Sequence, residues 1–150
     1  MVKMPSSLFP GEVLRRLPIT VNSAQQYWGS FVKISGHDPS GAPVHLRLYL
    51  CDWVVEQGGA TVAESASIVE TNRRGLSLVV GCEINAFLVD SSQYHVTVVC
   101  SDGLQISLTA NLDEYESDDQ MFLMYLPDLN LSFSPKVGLV MEPRSSANPP

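Results

Sequence analysis

The chain has 150 residues and a formal charge of −7, from 9 Lys and Arg against 16 Asp and Glu. This length supplies a core for one domain without metal ions or disulfides, and the 45% hydrophobic content argues against global disorder. The negative charge argues against nucleic acid and anionic membranes as partners. The only basic doublets are Arg15-Arg16 and Arg73-Arg74, which are too few for the basic patch of a nucleic-acid-binding protein. The charge favours a basic partner instead.

The cysteines and the missing motifs define the chemical class. Cys51, Cys82 and Cys100 are odd in number and lack the spacing of a zinc site, so we predict free thiols. There is no signal-peptide pattern and no long apolar stretch, which predicts a cytoplasmic protein without a membrane span. The hydrolase, zinc-protease, dinucleotide and phosphate-loop signatures are absent, so we predict neither an enzyme nor a bound metal or other cofactor.

The first half of the chain indicates strands separated by turns. Residues 1–10 are predicted to be a flexible segment, residues 11–143 a β domain and residues 144–150 a flexible tail. Residues 12–17 predict a short helical turn that ends at Pro18. Aromatic and β-branched residues at 27–34 and 44–55 predict a hairpin around the turn sequence HDPSGAP. Residues 60–71 are compatible with helix or strand, and we choose a strand near 64–71 followed by a turn at 72–75.

The second half continues the pattern. Strands are predicted at 76–80 and 83–89, with a possible bulge at Gly81. The clearest hairpin joins 93–100 to 104–112, because Asp102-Gly103 between alternating apolar residues is a strong hairpin signal. In its second arm, apolar residues starting at Leu104 alternate with polar residues starting at Gln105, which predicts one dry face and one wet face. Further strands are predicted at 120–126, 129–134 and 137–141.

These elements predict the fold class. About nine short strands without long intervening helices indicate an all-β, single-domain antiparallel β-sandwich or partly open barrel, with at most one or two short helices. The sequence leaves open whether the sheet closes.

One strand combines several residue types of functional interest. A single strand over 44–55 places His45, Arg47, Tyr49, Cys51 and Trp53 on the face opposite the leucines. Six residues span roughly 20 Å along a strand, so His45 cannot activate Cys51 directly. Tyr, Trp and Arg are enriched at interface hot spots, so we predict partner contacts by Arg47, Tyr49 and Trp53. The alternative is that this face packs beneath a loop or a second sheet.

The segment 113–119 (DEYESDD) holds five of the chain's carboxylates. It is compatible with a solvated connection, with a calcium site that lacks the EF-hand ligand order, or with a surface that steers a basic protein. In the third interpretation Tyr115 is an aromatic anchor among the charges. The residues predicted to bind a partner here are Asp113, Glu114, Tyr115, Glu116, Asp118 and Asp119.

The sequence therefore predicts a protein-binding module that neutralises or escorts a basic partner protein. An immunity-type inhibitor of a toxin enzyme is one protein of this physical type. The alternatives are a structural or assembly module that associates through strand edges, and a small-molecule-binding or enzymatic β-barrel. The partner and the oligomeric state do not follow from the sequence.

Overall fold

The computed structural model describes residues 10–27, 31–49, 51–90, 95–110, 120–134 and 137–143. These ranges contain two short helices, α1 (Gly11–Leu14) and α2 (Val69–Ser77), and neither is long and apolar enough to cross a membrane. The strands are β1 (Ile19–Gln26), β2 (Val32–His37), β3 (Pro43–Leu48), β4 (Cys51–Gln57), β5 (Ala60–Glu64), β6 (Glu83–Asp90), β7 (His95–Cys100), β8 (Leu104–Ala110), β9 (Phe122–Tyr125), β10 (Leu129–Ser134) and β11 (Gly138–Pro143).

All eleven strands form one open antiparallel sheet in the order β11-β10-β9-β3-β2-β1-β6-β7-β8-β4-β5. The join between β1 and β6 is narrow, since it contains only the pairs Ile19↔Ile84 and Thr20↔Glu83. We use this join to divide the sheet into a six-strand half (β11 to β1) and a five-strand half (β6 to β5). The all-β antiparallel prediction is confirmed, with two short helices and two more strands than expected.

The sheet curls so that its two halves share a core. Phe87 on β6 and Phe122 on β9 are four strand positions apart, which is roughly 19 Å across a flat sheet. Their ring centroids are 6.0 Å apart. The Cys51 Sγ on β4 likewise lies 3.7 Å from the carbonyl oxygen of Met121, which precedes β9. These contacts require the sheet to fold over on itself.

Strand alternation supplies the core. Each strand except β11 places residues in the buried cluster, and the polar residues between them point outward. In β8, Leu104 and Leu108 are buried whereas Gln105 and Thr109 are exposed. The largest fully buried side chains come from both halves of the sheet and are Trp53, Phe87, Phe122 and Phe133. The predicted dry and wet faces of this arm are therefore confirmed for the described residues.

The Asp-Gly hairpin forms as the sequence predicts. β7 pairs with β8, and the Leu104 N–H donates to the Ser101 carbonyl oxygen at 3.2 Å. Asp102 and Gly103 have φ angles of 59° and 73°, both in the left-handed region. Asp and Gly are favoured at such positions, where this turn matches the twist of the strands.

Residues 64–80 differ from the prediction. β5 ends at Glu64 and residues 69–77 form α2, so the strand predicted at 64–71, the turn at 72–75 and the strand at 76–80 are wrong. Leu76 and Val79 are buried, while Ser77 and Leu78 between them are exposed. That three-residue spacing is helical, and it places one side of the turn against the core. Gly81, with φ at 91°, lies in the turn before β6 and forms no bulge.

The segment 44–55 also differs, because it forms two strands rather than one. β3 lies between β2 and β9 in the six-strand half, whereas β4 lies between β8 and β5 in the five-strand half. The chain therefore passes from one half of the sheet to the other near Tyr49. Upstream, the strand predicted at 27–34 begins only at Val32, and β1 was not predicted at all.

Helix α2 covers the edge strand β5. The Asn72 side chain accepts a hydrogen bond from the Glu64 N–H at 2.9 Å and donates one to the Glu64 carbonyl oxygen at 2.7 Å. A neighbouring strand would make the same two kinds of hydrogen bond. Gly75 lies so close to β5 that a Cβ atom there would overlap the Val62 carbonyl oxygen. α2 thus protects this edge from pairing with another strand.

Arg16 joins three parts of the six-strand half. Its guanidinium donates to Asp38 in the β2–β3 turn at 2.8 Å and to Asp128 in the β9–β10 turn at 3.1 Å. The other oxygen of Asp38 accepts from the N–H groups of Ser40 and Ala42 at 2.9 and 3.0 Å. Hydrogen bonds from the Ser40 side chain and from Arg16 hold the pKa of Asp38 below its ordinary value, against the opposing effect of burial.

Candidate functional site

The acidic segment lies outside the described residues. It follows β8 in the sequence and precedes β9, so it connects the two halves of the sheet. Its role in steering a partner stays a prediction for the residues Asp113, Glu114, Tyr115, Glu116, Asp118 and Asp119.

The other residues predicted to contact a partner, Arg47, Tyr49 and Trp53, lie in two different environments. Arg47 is on β3 and Tyr49 follows it, and the Tyr49 side chain is 41% exposed. Trp53 is on β4 and is completely buried. The prediction that one strand places the three on a single face is wrong, because the chain changes from one half of the sheet to the other between Tyr49 and Trp53. In this structure Trp53 contributes to the core and presents no surface to a partner.

The three cysteines are buried and free of disulfides. Burial raises the pKa of both Cys51 and Cys100 to about 12, with Asp52 and Cys82 as smaller respective contributors. A thiol with such a pKa stays protonated at neutral pH and is a poor nucleophile. The described residues contain no group of three or more His, Cys, Asp or Glu side chains that could hold a metal ion.

The outer surface of the five-strand half carries a cluster of carboxylates that we call the acidic face. Residues 51–68 and 82–110, which include all five of its strands, contain six Asp and Glu and no Lys or Arg. The cross-strand register determines where these carboxylates lie on the sheet. The face is defined by Asp52, Glu56, Glu64 and Asp90.

Three cross-strand rows make up this face. Asp90 pairs with His95, His95 with Thr109, and Thr109 with Asp52. The second row runs through Leu88, Thr97, Ser107, Val54 and Glu64, and the third through Ala86, Val99, Gln105, Glu56 and Thr61. The middle of the face thus consists of hydroxyl and small apolar side chains, and most carboxylates lie toward its margins.

Three carboxylates of this face have no cation beside them in the described residues. Asp52, Glu56 and Glu64 form no ion pair within the described part of the chain. Strand spacing and rise place neighbouring carboxylates roughly 8–14 Å apart. That separation is comparable to the Debye length of about 8 Å at physiological ionic strength, so their fields add within a short range of the surface.

The outer surface of the six-strand half carries two neighbouring cations. Lys33 on β2 and Arg47 on β3 are directly opposite in the register. The Lys33 ammonium lies 5.0 Å from the Tyr27 ring centroid, and the Arg47 guanidinium lies 4.9 Å from that of Tyr125. Tyr49 stacks on Phe31, which adds another pair of aromatic rings. We call this surface the aromatic-cationic face, and it comprises Tyr27, Phe31, Lys33, Arg47, Tyr49 and Tyr125.

A cleft of about 320 Å³ lies between α2 and β1. Its lining includes Gln25, Gln26, Arg73 and Leu76. Gln26 accepts a hydrogen bond from Asn72 at 2.8 Å, which holds its amide toward the helix. The cleft therefore combines amide groups and one cation with apolar side chains.

Comparison of the chain with protein-family models, with curated proteins and with solved structures finds no match.

Each face corresponds to a pattern in the sequence, but reading the strands one at a time does not reveal either face. The acidic face appears as two long segments without Lys or Arg, at 51–68 and 82–110. The aromatic-cationic face appears as Phe31 and Lys33 two residues apart, and as Arg47 and Tyr49 two residues apart. What the sequence did not provide is strand order, which brings these two pairs side by side.

Proposed function

We propose that the protein is a cytoplasmic binding module that neutralises or escorts a basic partner protein through its acidic face. The observation that carries this proposal is the charge of the five-strand half, where six carboxylates lie in segments without a single Lys or Arg. Complementary charge accelerates the encounter of proteins and selects among partners. An immunity-type inhibitor that covers the basic active site of a toxin enzyme is one form of this function.

The shape of the face supports protein binding. A central area of Thr, Ser and Val side chains costs less to bury than carboxylates would, and the carboxylates near the margin stay partly hydrated. The acidic segment 113–119 begins a few residues after the end of β8 in the sequence and holds five further carboxylates. In the proposed complex, the segment and the face attract the same partner.

Affinity capture from the native extract tests this proposal. The tagged protein is compared with an acidic-face variant, Asp52→Asn, Glu56→Gln and Glu64→Gln, and with a control of equal charge, Glu12→Gln, Glu70→Gln and Glu142→Gln. We expect the native protein and the control to retain the same basic protein in one-to-one ratio and the acidic-face variant to lose it. Equal recovery by all three, or recovery only of acidic proteins, contradicts the proposal.

A specific observation also favours the assembly alternative. β11 is an end strand of the open sheet and pairs only with β10 among the described strands, whereas α2 covers β5 at the other end. Val137, just before β11, is 54% exposed, and Met141, on β11, is 44% exposed. Sedimentation of the isolated protein distinguishes the two functions, because association through β11 would produce oligomers without any partner.

A further inference from the structure

Lys33 and Arg47 form an unusual pair on the six-strand half. They are directly opposite each other on β2 and β3, and like charges at such positions destabilise a sheet. Neither forms an ion pair with a carboxylate in the described part of the chain. The chain has a net charge of −7, yet these two cations have no carboxylate partner among the described residues.

Aromatic rings hold these two cations in place. The Lys33 ammonium lies 5.0 and 5.9 Å from the ring centroids of Tyr27 and Phe31, and Arg47 lies over Tyr125. Cation–π contacts orient both side chains without neutralising their charge. The pair is therefore preorganised and still able to attract an anion.

The same face offers a contact surface beside the cations. Phe31 and Tyr49 stack with ring centroids 5.3 Å apart and planes inclined by 20°, and Tyr27 packs against Phe31 at 5.9 Å. Tyr49 is 41% exposed. Tyr and Arg are enriched among the few residues that carry most of the binding energy at interfaces.

We propose that the aromatic-cationic face binds an acidic peptide segment of a partner protein. Carboxylates of the segment pair with Lys33 and Arg47, and an aromatic or apolar side chain packs on the row of Tyr27, Phe31 and Tyr49. Charge complementarity selects this occupant. A nucleic acid would need many more cations than two, and a second copy of the chain would bring another −7 of charge.

This inference does not depend on the proposed function, because the two faces lie on different halves of the sheet. A protein with both sites would hold a basic partner on one side and an acidic segment on the other. Variants of one face are expected to leave binding at the other unchanged, so the two proposals can fail separately.

The test is titration of the isotopically labelled full chain with a capped peptide of sequence DEFDEF, followed by amide NMR. A peptide of sequence NQFNQF has similar shape without charge, and oligothymidylate is the nucleic-acid comparison. We expect DEFDEF to shift the amides of β2 and β3 and to bind at least about tenfold more tightly than NQFNQF. Equal affinities, shifts elsewhere on the molecule, or tighter binding of oligothymidylate would overturn the proposal.

Two pairs of substitutions complete the test. Lys33→Gln with Arg47→Gln removes the proposed site, and Arg73→Gln with Arg74→Gln removes the same charge from α2. We expect the first pair to weaken DEFDEF binding at least about tenfold and the second to change it less than about twofold. Thermal unfolding establishes that each variant is folded. Similar losses in both pairs would show that only net charge matters, which overturns the assignment to this face.

Discussion

Replacement of Asn72 by Ala should destabilise the fold by removing the amide that covers the β5 edge. Asn72 is completely buried and bonds to both the N–H and the carbonyl oxygen of Glu64. Each unsatisfied buried group costs about 1–3 kcal/mol, and Glu64 is only half-buried, so we expect the free energy of unfolding to fall by about 2–4 kcal/mol. Urea unfolding followed by circular dichroism measures this change.

The matched control is Asn85→Ala, at an exposed position on β6, which should change the free energy of unfolding by less than about 0.5 kcal/mol. Asn72→Asp adds a pH test. The carboxylate would face acceptor oxygens of Glu64 and Gln26, so its folded-state pKa would rise above its unfolded value. The variant should then be more destabilised at about pH 7 than at about pH 4, because only the protonated carboxyl can donate a hydrogen bond to these acceptor oxygens.

Two results would refute this reasoning. A loss below about 1 kcal/mol for Asn72→Ala would show that water replaces the amide readily and that the hydrogen bonds to Glu64 contribute little. An Asn72→Asp variant with the same destabilisation at both pH values would show that the carboxylate escapes to solvent. In the expected case, the uncovered β5 edge should also promote self-association, which sedimentation would detect.

The remaining predictions concern the core, the thiols and the Arg16 ion pair. Leu108→Ala should lower the free energy of unfolding by about 2–5 kcal/mol, and Gln105→Ala on the opposite face should change it little, as urea unfolding would show. Ellman titration should count three thiols after denaturation without reductant, and the native protein should react slowly at Cys51 and Cys100 because burial protects them; a count of one would indicate a disulfide. Since the folded pKa of Asp38 is lowered, its contribution to stability is complete above the ordinary carboxyl range and is lost as the pH falls through the folded pKa. Asp38→Asn should therefore have a lower free energy of unfolding than the native protein at about pH 7, and the difference should be smaller at about pH 3. The same difference at both pH values would contradict this account.

Local signals in the sequence predicted the parts of the fold that local structure determines. The Asp102-Gly103 turn and the alternation in β8 depend on neighbouring residues, and both were predicted from them. Residues 76–80 resemble a strand in composition, but packing of Leu76 and Val79 against the core favours a helical turn. Contacts made only in the folded state decide such a segment.

The candidate sites were harder to predict because they depend on strand order. No Gly or Pro marks the break after Tyr49, so the sequence gives no reason to place Trp53 in another half of the sheet. Lys33 and Arg47 are 14 positions apart in the sequence, yet the hairpin register makes them neighbours. The net charge follows directly from the sequence. The separation of acidic and basic residues onto two faces follows only from the strand order.

The salt dependence of association with the captured basic partner tests the central claim most directly. Stopped-flow association rates are measured for the native protein and for the Asp52→Asn, Glu56→Gln, Glu64→Gln variant at about 10 mM and about 500 mM sodium chloride. We predict that the native rate falls at least about tenfold at high salt, and that the variant associates more slowly at low salt with a weaker salt dependence. Identical rates and salt dependence for the two proteins would contradict the claim that the acidic face guides binding.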